Sequence, residues 1–367
     1  MKKILLLLFS LLFGAILFSW VIKTVGWHEI KNSFLGFGGW QGMVILLLTI
    51  LMALVGTWKW QEILRGMEVK ISFRKLWRAY LAGFAIRYLA PVVIFGSEVF
   101  QGHILKEVNS VPWEKSMASV IVDRILELTA SLVVIFFGVF FFLFKIGLPP
   151  IKAGLIFGGI IFILTFLIVY FYFKSFKRES IAKAIGRIFN SKLDNRPLEI
   201  EKEIFSFLKP KKKTMWKGFF LAFLKAGIMW FRAWLLVLFL GKSLSALPAL
   251  SILGFNCLVS MIPIPADLGS HEAIQAFAFN SLGFSASAGT AFALITRGAE
   301  LILAMFGIMV LFHLGLELMK NALFKKTEKI VLNKAKRTTF SSSSSLTEAS
   351  AEVEKRFTSL TLRKLDK

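Results

Sequence analysis

The sequence predicts an all-α, polytopic membrane protein, and two properties of its composition lead to that class. Of its 367 residues, 56% are hydrophobic and the mean hydropathy is +0.69, whereas soluble domains are roughly 45–50% apolar. The apolar residues are gathered in long runs and charge collects between them, as expected where each spanning helix needs about 20 apolar residues. The first run, 4–22, resembles a signal peptide, but it is long and lacks a small-residue cleavage site near its end. We therefore interpret it as an uncleaved span.

Apolar runs long enough to cross a bilayer occur along most of the chain, and two of the runs are interrupted. Pro91 and Gly96 interrupt one of these, and Pro263 and Pro265 interrupt the other. The runs cover residues 4–22, 41–60, 76–96, 117–144, 153–173, 216–240, 246–265 and 288–318.

The distribution of Lys and Arg predicts how the runs are oriented, because these residues accumulate in cytoplasmic loops. Segments 61–75 and 174–215 are strongly basic, as is the tail, and we expect them inside together with the N-terminus. Segments 145–152 and 241–245 are short and nearly uncharged, and we expect them outside. The predicted location is a multi-pass protein of the cell inner (cytoplasmic) membrane with both termini in the cytoplasm.

This orientation requires the two interrupted regions to enter and leave the membrane on the same side. Residues 76–116 would do so from the cytoplasmic face and residues 246–287 from the outer face. Broken helices at membrane depth are tolerated where they are buried in protein or line a cavity. The prediction is therefore about six full spans plus two re-entrant hairpins that enter from opposite sides.

The expected domain organisation is one membrane domain followed by a tail. Residues 1–320 form the integral membrane domain, in which 174–215 is a cytoplasmic loop with amphipathic helices. Residues 321–367 form a basic, Ser-rich cytoplasmic tail, predicted to be disordered.

The two interrupted regions carry matching residues in the same order, which indicates an internal repeat. Glu98 precedes Arg124 by 26 positions and Glu272 precedes Arg297 by 25, and each arginine begins an R-x-x-E step. An inverted repeat with broken helices is typical of secondary transporters, whose binding site lies near the midplane. The matching residues are Gly96, Ser97, Glu98, Arg124 and Glu127 in one copy and Gly269, Ser270, Glu272, Arg297 and Glu300 in the other.

The arginines of the repeat are the first candidates for a binding site. An ionic side chain at the centre of a span costs about 2.5–3.5 kcal/mol on insertion scales, so Arg124 and Arg297 must face a partner or a wet cavity. They could bind a phosphate, for which a planar guanidinium is well suited. They could equally form structural pairs with Glu127 and Glu300, which share their helix faces. Asp123 points elsewhere on its helix, toward a hairpin backbone or another span.

The acidic residues of the hairpins have two possible roles. Glu98 and Glu272 follow Gly96 and Gly269 at the presumed turns, where free N–H groups at half-helix N-termini could attract an anion. They could instead cap those helices. The nine candidate substrate-binding residues are Gly96, Glu98, Asp123, Arg124, Glu127, Gly269, Glu272, Arg297 and Glu300.

Several other kinds of site are excluded or not indicated. The net charge of +23 lies beside apolar runs, so anionic lipid headgroups are the expected partner and nucleic acid is not. With Cys257 as the single cysteine, an intrachain disulfide is excluded, and the four histidines lack metal-ligand spacing. No catalytic motif, metal or cofactor is therefore expected, and the oligomeric state stays open.

The stretch from Ala82 to Glu127 resembles the first block of the lysylphosphatidylglycerol synthase transmembrane-region family, also called flippase-like integral membrane proteins. The resemblance rests on a proline, a G-x-E turn and D-R-x-x-E on the next span. Ile262–Glu272 resembles the second block, and Arg297 matches a later arginine of the family. Gln101 stands where an arginine is usual, and Ala266 and Asp267 replace glycines. The resemblance, over about residues 1–320, implies the lipid-translocating part without the cytosolic synthase domain.

These observations favour a lipid transporter or flippase-like protein. Its substrate would be an anionic membrane phospholipid or a lipid-linked glycan, that is, a glycosylated or polyprenyl-phosphate lipid. Two alternatives stay open: a membrane enzyme that transfers a sugar or acyl group to lipid, and a non-transporting, lipid-binding accessory protein.

Overall fold

The regular structure in the described part of the chain is entirely α-helical. The computed structural model describes residues 28, 38–89, 96–147, 151–178, 180, 195–209, 212–243, 245–261 and 269–340. Its helices are α1 Gly39–Gly66, α2 Phe73–Leu89, α3 Gly96–Asn109, α4 Trp113–Ile146, α5 Ile151–Lys177, α6 Asn195–Phe207, α7 Lys213–Phe239, α8 Ala249–Met261, α9 Ser270–Ser281 and α10 Ala286–Phe340.

Four of these helices are long and apolar enough to cross a membrane. They are α1, α4, α7 and the first part of α10, Ala286–Leu314. Helix α5 has 27 residues and covers the predicted apolar run 153–173. The predicted first span, 4–22, lies outside the described residues. The prediction of an all-α, polytopic membrane protein is confirmed.

The spanning helices are held together by close backbone contact as well as by apolar side chains. Helix α1 packs along α7, and α4 packs along α8. At the α4–α8 crossing, a Cβ on Gly138 would lie 2.6 Å from the Leu250 carbonyl oxygen and 2.9 Å from Gly254 Cα. Small residues let membrane helices approach this closely, and the contact brings α8 against the middle of α4.

Two pairs of short helices occupy the regions that the sequence predicts to be broken. Helices α2 and α3 contact each other, as do α8 and α9. At 1.5 Å per residue they are only about 18–26 Å long, less than the roughly 30 Å of a hydrocarbon core. Pro91, Pro263 and Pro265 fall between the paired helices and lie outside the described residues.

Helix α6 lies in the 174–215 loop, for which the sequence predicts amphipathic helices. Its apolar residues Ile204 and Phe207 are buried, together with Leu208 just after it, and α6 packs against α1, α4 and α5. The other predicted amphipathic stretch, 181–189, lies outside the described residues.

Helix α10 runs past the expected end of the membrane domain. The chain divides into two compact units, Met1–Phe312 and His313–Lys367. In the second unit the helix continues to Phe340, so the predicted boundary at residue 320 falls within a helix. The Ser-rich stretch that follows lies outside the described residues.

Candidate functional site

In the first half of the chain, four ionic residues from three helices form one connected cluster. Arg124 of α4 pairs with Glu98 of α3, with 2.8 Å between Nε and Oε1, and with Glu127 one turn along α4 at 2.6 Å. Lys59 of α1 reaches the same Glu127, with Nζ 3.2 Å from Oε1. The Lys59 side chain is 0% exposed, so its charge depends entirely on these partners.

The second half of the chain repeats this arrangement. Arg297 of α10 pairs with Glu272 of α9, with 3.0 Å between NH1 and Oε1. Arg232 of α7 pairs with Glu300 of α10 at 3.0 Å and donates to Thr49 of α1 at 2.8 Å. In each half, the hairpin glutamate binds the arginine of the next span, and the first span supplies a cation to the glutamate of the R-x-x-E step.

The spacing of these residues shows that the resemblance is a repeat of structure and not only of motif. Lys59 and Glu127 are 68 positions apart, and so are Arg232 and Glu300. Lys59 and Arg232 each lie seven residues before the end of their helix. Arg124 and Arg297 each lie eleven residues into theirs, a rise of about 16 Å. The two clusters therefore occupy equivalent positions in two equivalent sets of helices.

Three further ionic residues lie near Glu127 or Lys59, and their equivalent positions in the other half carry no charge. Asp123 forms an ion pair with Lys59, with 3.0 Å between Oδ1 and Nζ, and its backbone carbonyl accepts from the same Nζ at 3.3 Å. Lys225 of α7 pairs with Glu127 and donates to the Tyr80 hydroxyl at 3.2 Å. Arg87 of α2 approaches Glu127 Oε2 at 3.9 Å. Adding these three to the repeated set gives a charged layer, which we call the ionic layer.

The ionic layer joins both halves of the protein. Lys225 reaches from the second half to Glu127 of the first, and Arg232 reaches Thr49. Tyr88, at the end of α2, donates its hydroxyl to the Arg297 carbonyl at 3.0 Å. The members of the layer are Lys59, Arg87, Glu98, Asp123, Arg124, Glu127, Lys225, Arg232, Glu272, Arg297 and Glu300.

The structure connects most of the sequence-predicted residues to this layer. The expected pair of Arg124 with Glu127 forms, and Asp123 reaches another span as expected. The capping role is confirmed for Glu272, whose Oε2 accepts from the Gly269 N–H at 2.7 Å. Gly269 adopts φ +83°, a conformation that favours glycine, and this lets the chain turn into α9. Gly96 is the first residue of α3.

Four cations of the layer were not singled out by the sequence analysis. Lys59 falls at the end of the predicted run 41–60, beside the basic segment 61–75, but α1 continues to Gly66 and buries it. Lys225 and Arg232 interrupt the apolar run 216–240, so the cost of an ionic group in a span would have marked them as well. Arg87 lies in the predicted run 76–96, just before its break at Pro91, so the same cost would have marked it.

The layer carries one more positive than negative charge: six basic and five acidic side chains. Buried ionic groups in a membrane mark substrate or ion pathways, and a surplus cation favours an anion. Among the described residues, no group of three His, Cys, Asp or Glu side chains is arranged to hold a metal ion.

Comparison with known proteins relates most of the chain to one family. The family model described as the lysylphosphatidylglycerol synthase TM region matches residues 7–307. A UPF0104 membrane protein of Methanocaldococcus jannaschii is 21% identical over 340 residues, 89% of this chain and 98% of the relative. A UPF0104 membrane protein of Pyrococcus horikoshii is 24% identical over 275 residues, 69% of this chain and 81% of the relative.

Proposed function

Because the chain belongs to the family of lysylphosphatidylglycerol synthase transmembrane regions, we propose that it moves a phosphate-bearing lipid between the leaflets of its membrane. The observation that carries the proposal is the ionic layer, which both halves of the chain build at mid-helix depth. The substrate is an anionic phospholipid or a glycosylated or polyprenyl-phosphate lipid, since these share a phosphate that guanidinium groups bind well.

The candidate residues have distinct roles in this proposal. Arg124 and Arg297 give the layer its positive field at equivalent depths, and the lipid phosphate crosses the membrane beside them. Glu98 and Glu272 hold the short helices α3 and α9 to those arginines, at 2.8 and 3.0 Å. Because a carboxylate and a phosphate compete for the same guanidinium donors, lipid binding would loosen these contacts and let the hairpins move.

We also propose that the α2–α3 and α8–α9 pairs are re-entrant hairpins that open toward opposite sides. Three observations support this arrangement: the shortness of the helices, the contact within each pair, and the repeated contacts to the following span. Two opposed hairpins around one ionic layer would give a lipid headgroup alternate access from each leaflet.

The proposed orientation in the inner membrane has both termini in the cytoplasm. Basic side chains gather where α1 ends: Lys115 donates to the Met67 carbonyl at 2.9 Å and Lys212 to the Gly66 carbonyl at 2.7 Å. Cations at a helix C-terminus are stabilised there, and they also favour the side that carries anionic headgroups. These contacts support a cytoplasmic location for that end of α1.

The function is tested by reconstituting the purified protein into vesicles with fluorescent phosphatidylglycerol. Dithionite added outside quenches only the probe in the outer leaflet, so the rate at which the protected fluorescence is lost measures movement of the probe from the inner leaflet. We expect faster loss of protected fluorescence than in empty vesicles. The double variant Glu98→Gln/Arg124→Gln should reduce that rate, since it removes the arginine without leaving an unpaired carboxylate. Arg74→Gln removes an exposed arginine from α2 and serves as the matched control.

The outcomes separate the open functions. Translocation would be refuted if vesicles with the wild-type protein lost protected fluorescence no faster than empty vesicles, both for phosphatidylglycerol and for a polyprenyl phosphate. Lipid retained through purification without movement would favour an accessory, lipid-binding role. A chemically altered lipid after incubation with labelled donors would favour an enzyme.

The hairpins are tested separately by thiol labelling. Cys257 is the single cysteine, so Cys257→Ser provides a cysteine-free background. New cysteines at Ser72 and Ser110, both exposed and flanking α2–α3, should react with a membrane-impermeant maleimide from one face. Cysteines at Ser245 and Ser285, exposed on either side of α8–α9, should react from the opposite face. Labelling of either pair from two different faces would contradict the re-entrant arrangement.

A further inference from the structure

The repeated part of the ionic layer is electrically neutral in each half. Lys59, Glu98, Arg124 and Glu127 contribute two positive and two negative charges, and their counterparts do the same. Each cation of these sets lies within 3.2 Å of a carboxylate oxygen. A balanced set of this kind satisfies its own charges before lipid binds, so it explains how the hairpins are held, and the first contact with a ligand is to be sought among the residues outside it.

The residues that break the repeat are therefore informative. Asp123 corresponds to Thr296, 173 positions later, and Lys225 corresponds to Met52, 173 positions earlier. Arg87 has no charged counterpart, since the residues 173 and 174 positions later are Ser260 and Met261. The repeat is thus broken by two cations and one anion, of which Lys225 lies in the second half, and all three contact the charges of the first-half cluster.

Two of the added charges are matched by direct partners. Asp123 lies 3.0 Å from the Lys59 ammonium. Lys225 pairs with Glu127 and also donates to Tyr80. The surplus positive charge of the layer is consequently left with Arg87.

The surroundings of Arg87 differ from those of every other cation in the layer. Its closest carboxylate oxygen is Glu127 Oε2 at 3.9 Å, too far for a hydrogen bond. Within the described part of the chain, its buried Nε has no hydrogen-bond partner; Arg124 Nε also lacks one but lies only 2.8 Å from Glu98 Oε1. The side chain as a whole is 35% exposed although its Nε is buried, so part of Arg87 lies at the edge of the layer.

The position of Arg87 in the chain is equally distinctive. It is the third residue from the end of α2, directly before Tyr88, which bonds to the Arg297 carbonyl of the second half. Arg87 therefore lies where the first hairpin meets both halves of the repeat. A guanidinium has five N–H donors in a planar fork, and phosphate oxygens are matched to that geometry.

We infer that Arg87 is the residue that binds the phosphate of the transported lipid, with Glu127 as its counter-ion when no lipid is bound. This inference rests on the proposed function and refines it, because it assigns the direct phosphate contact to an unrepeated residue. Arg124 and Arg297 then position the hairpins and shape the field. The ligand chemistry is a phosphate mono- or diester, from a glycerophospholipid or from a polyprenyl phosphate.

The test measures lipid binding rather than movement. The full-length protein in detergent is titrated with phosphatidylglycerol, undecaprenyl phosphate or phosphate-free diacylglycerol, and bound lipid is counted by native mass spectrometry. Arg87→Gln should weaken retention of at least one phosphate lipid by about tenfold or more, the effect of losing charge-assisted hydrogen bonds. Arg87→Lys should bind more weakly than wild type but better than Arg87→Gln. Diacylglycerol retention should not change.

Arg74→Gln, an exposed loss of the same charge from the same helix, should bind like wild type. Thermal unfolding shows whether each variant is folded, and Arg87→Lys, which keeps the charge, tests the inference if Arg87→Gln does not fold. The two lipid titrations identify which phosphate lipid is held.

The outcomes distinguish this inference from the function on which it rests. Suppose that the wild type retains a phosphate lipid, that Arg87→Gln does not, and that neither protein moves lipid in vesicles. That result would support the assignment of Arg87 and refute translocation. Equal retention by wild type and both Arg87 variants would overturn the inference. Retention of no phosphate lipid by wild type would overturn it as well.

Discussion

Replacing Lys59 by methionine should destabilise the protein by about 3–5 kcal/mol, the cost of removing one partner from a buried ion pair. Methionine is unbranched and one atom shorter than lysine, so it keeps most of the packing in α1 but removes the charge. Lys59 is 0% exposed, with its Nζ 3.0 Å from Asp123 Oδ1 and 3.2 Å from Glu127 Oε1. Its loss therefore acts on two carboxylates that are held inside the helix bundle.

The magnitude follows from what each carboxylate retains. Glu127 keeps Arg124 at 2.6 Å and also keeps Lys225. Asp123, whose side chain is 10% exposed, loses the cation 3.0 Å away. The cost should thus be that of one uncompensated carboxylate and not of two. Adding Asp123→Asn removes that charge, and the double variant should be only about 1–2 kcal/mol less stable than wild type, because lost hydrogen bonds remain.

The assay is reversible unfolding in mixed micelles titrated with a denaturing detergent, which yields the free energy of unfolding for each variant. Lys70→Met, which removes an exposed lysine from the segment after α1, is the control and should change stability by less than about 0.5 kcal/mol. Equal stability of Lys59→Met and Lys70→Met would refute a paired, buried Lys59. A double variant as unstable as the sum of its single changes would refute the coupling to Asp123.

Two further variants test how the helices pack. Gly138→Ala should destabilise the protein by about 1–3 kcal/mol in the same titration, because its Cβ would lie 2.6 Å from a carbonyl oxygen of α8. Gly158→Ala on α5 has open space around the new Cβ and should be neutral or slightly stabilising, so equal effects would contradict the close α4–α8 crossing. Tyr88→Phe removes the 3.0 Å hydrogen bond from α2 to the Arg297 carbonyl and should cost about 1 kcal/mol. Thermal unfolding of Tyr88→Phe measures this cost, and a variant as stable as the wild type would contradict a contribution of the hydrogen bond to stability.

The sequence predicted the helical elements well, because each depends on local composition. The runs 117–144 and 216–240 correspond to α4 and α7 within a few residues. The breaks near residues 91 and 263 were readable from proline and glycine, which end helices whatever packs around them. The end of α1 was less readable, because Lys59 and Glu62 look like the start of a loop until their partners are known.

The site was predicted in part, and the missing part has a common cause. Arg124, Glu127 and their repeat-mates were found because their spacing recurs in the sequence. Arg87 was not found, because its proposed role depends on the positive charge that stays unmatched after the other residues of the ionic layer have paired. A local sequence pattern does not show which charged residues from distant segments come together in the fold.

By itself, the sequence determined that this protein is a helical membrane protein with two related halves, since apolar run length, broken helices and motif spacing are local properties of the chain. Only the tertiary structure decided which charges pair. It joined Lys59 to Asp123 across 64 positions and Lys225 to Glu127 across 98. The physical reason is that an ionic group in a low-dielectric interior must find an opposite charge nearby, and the helix packing decides which one lies within reach.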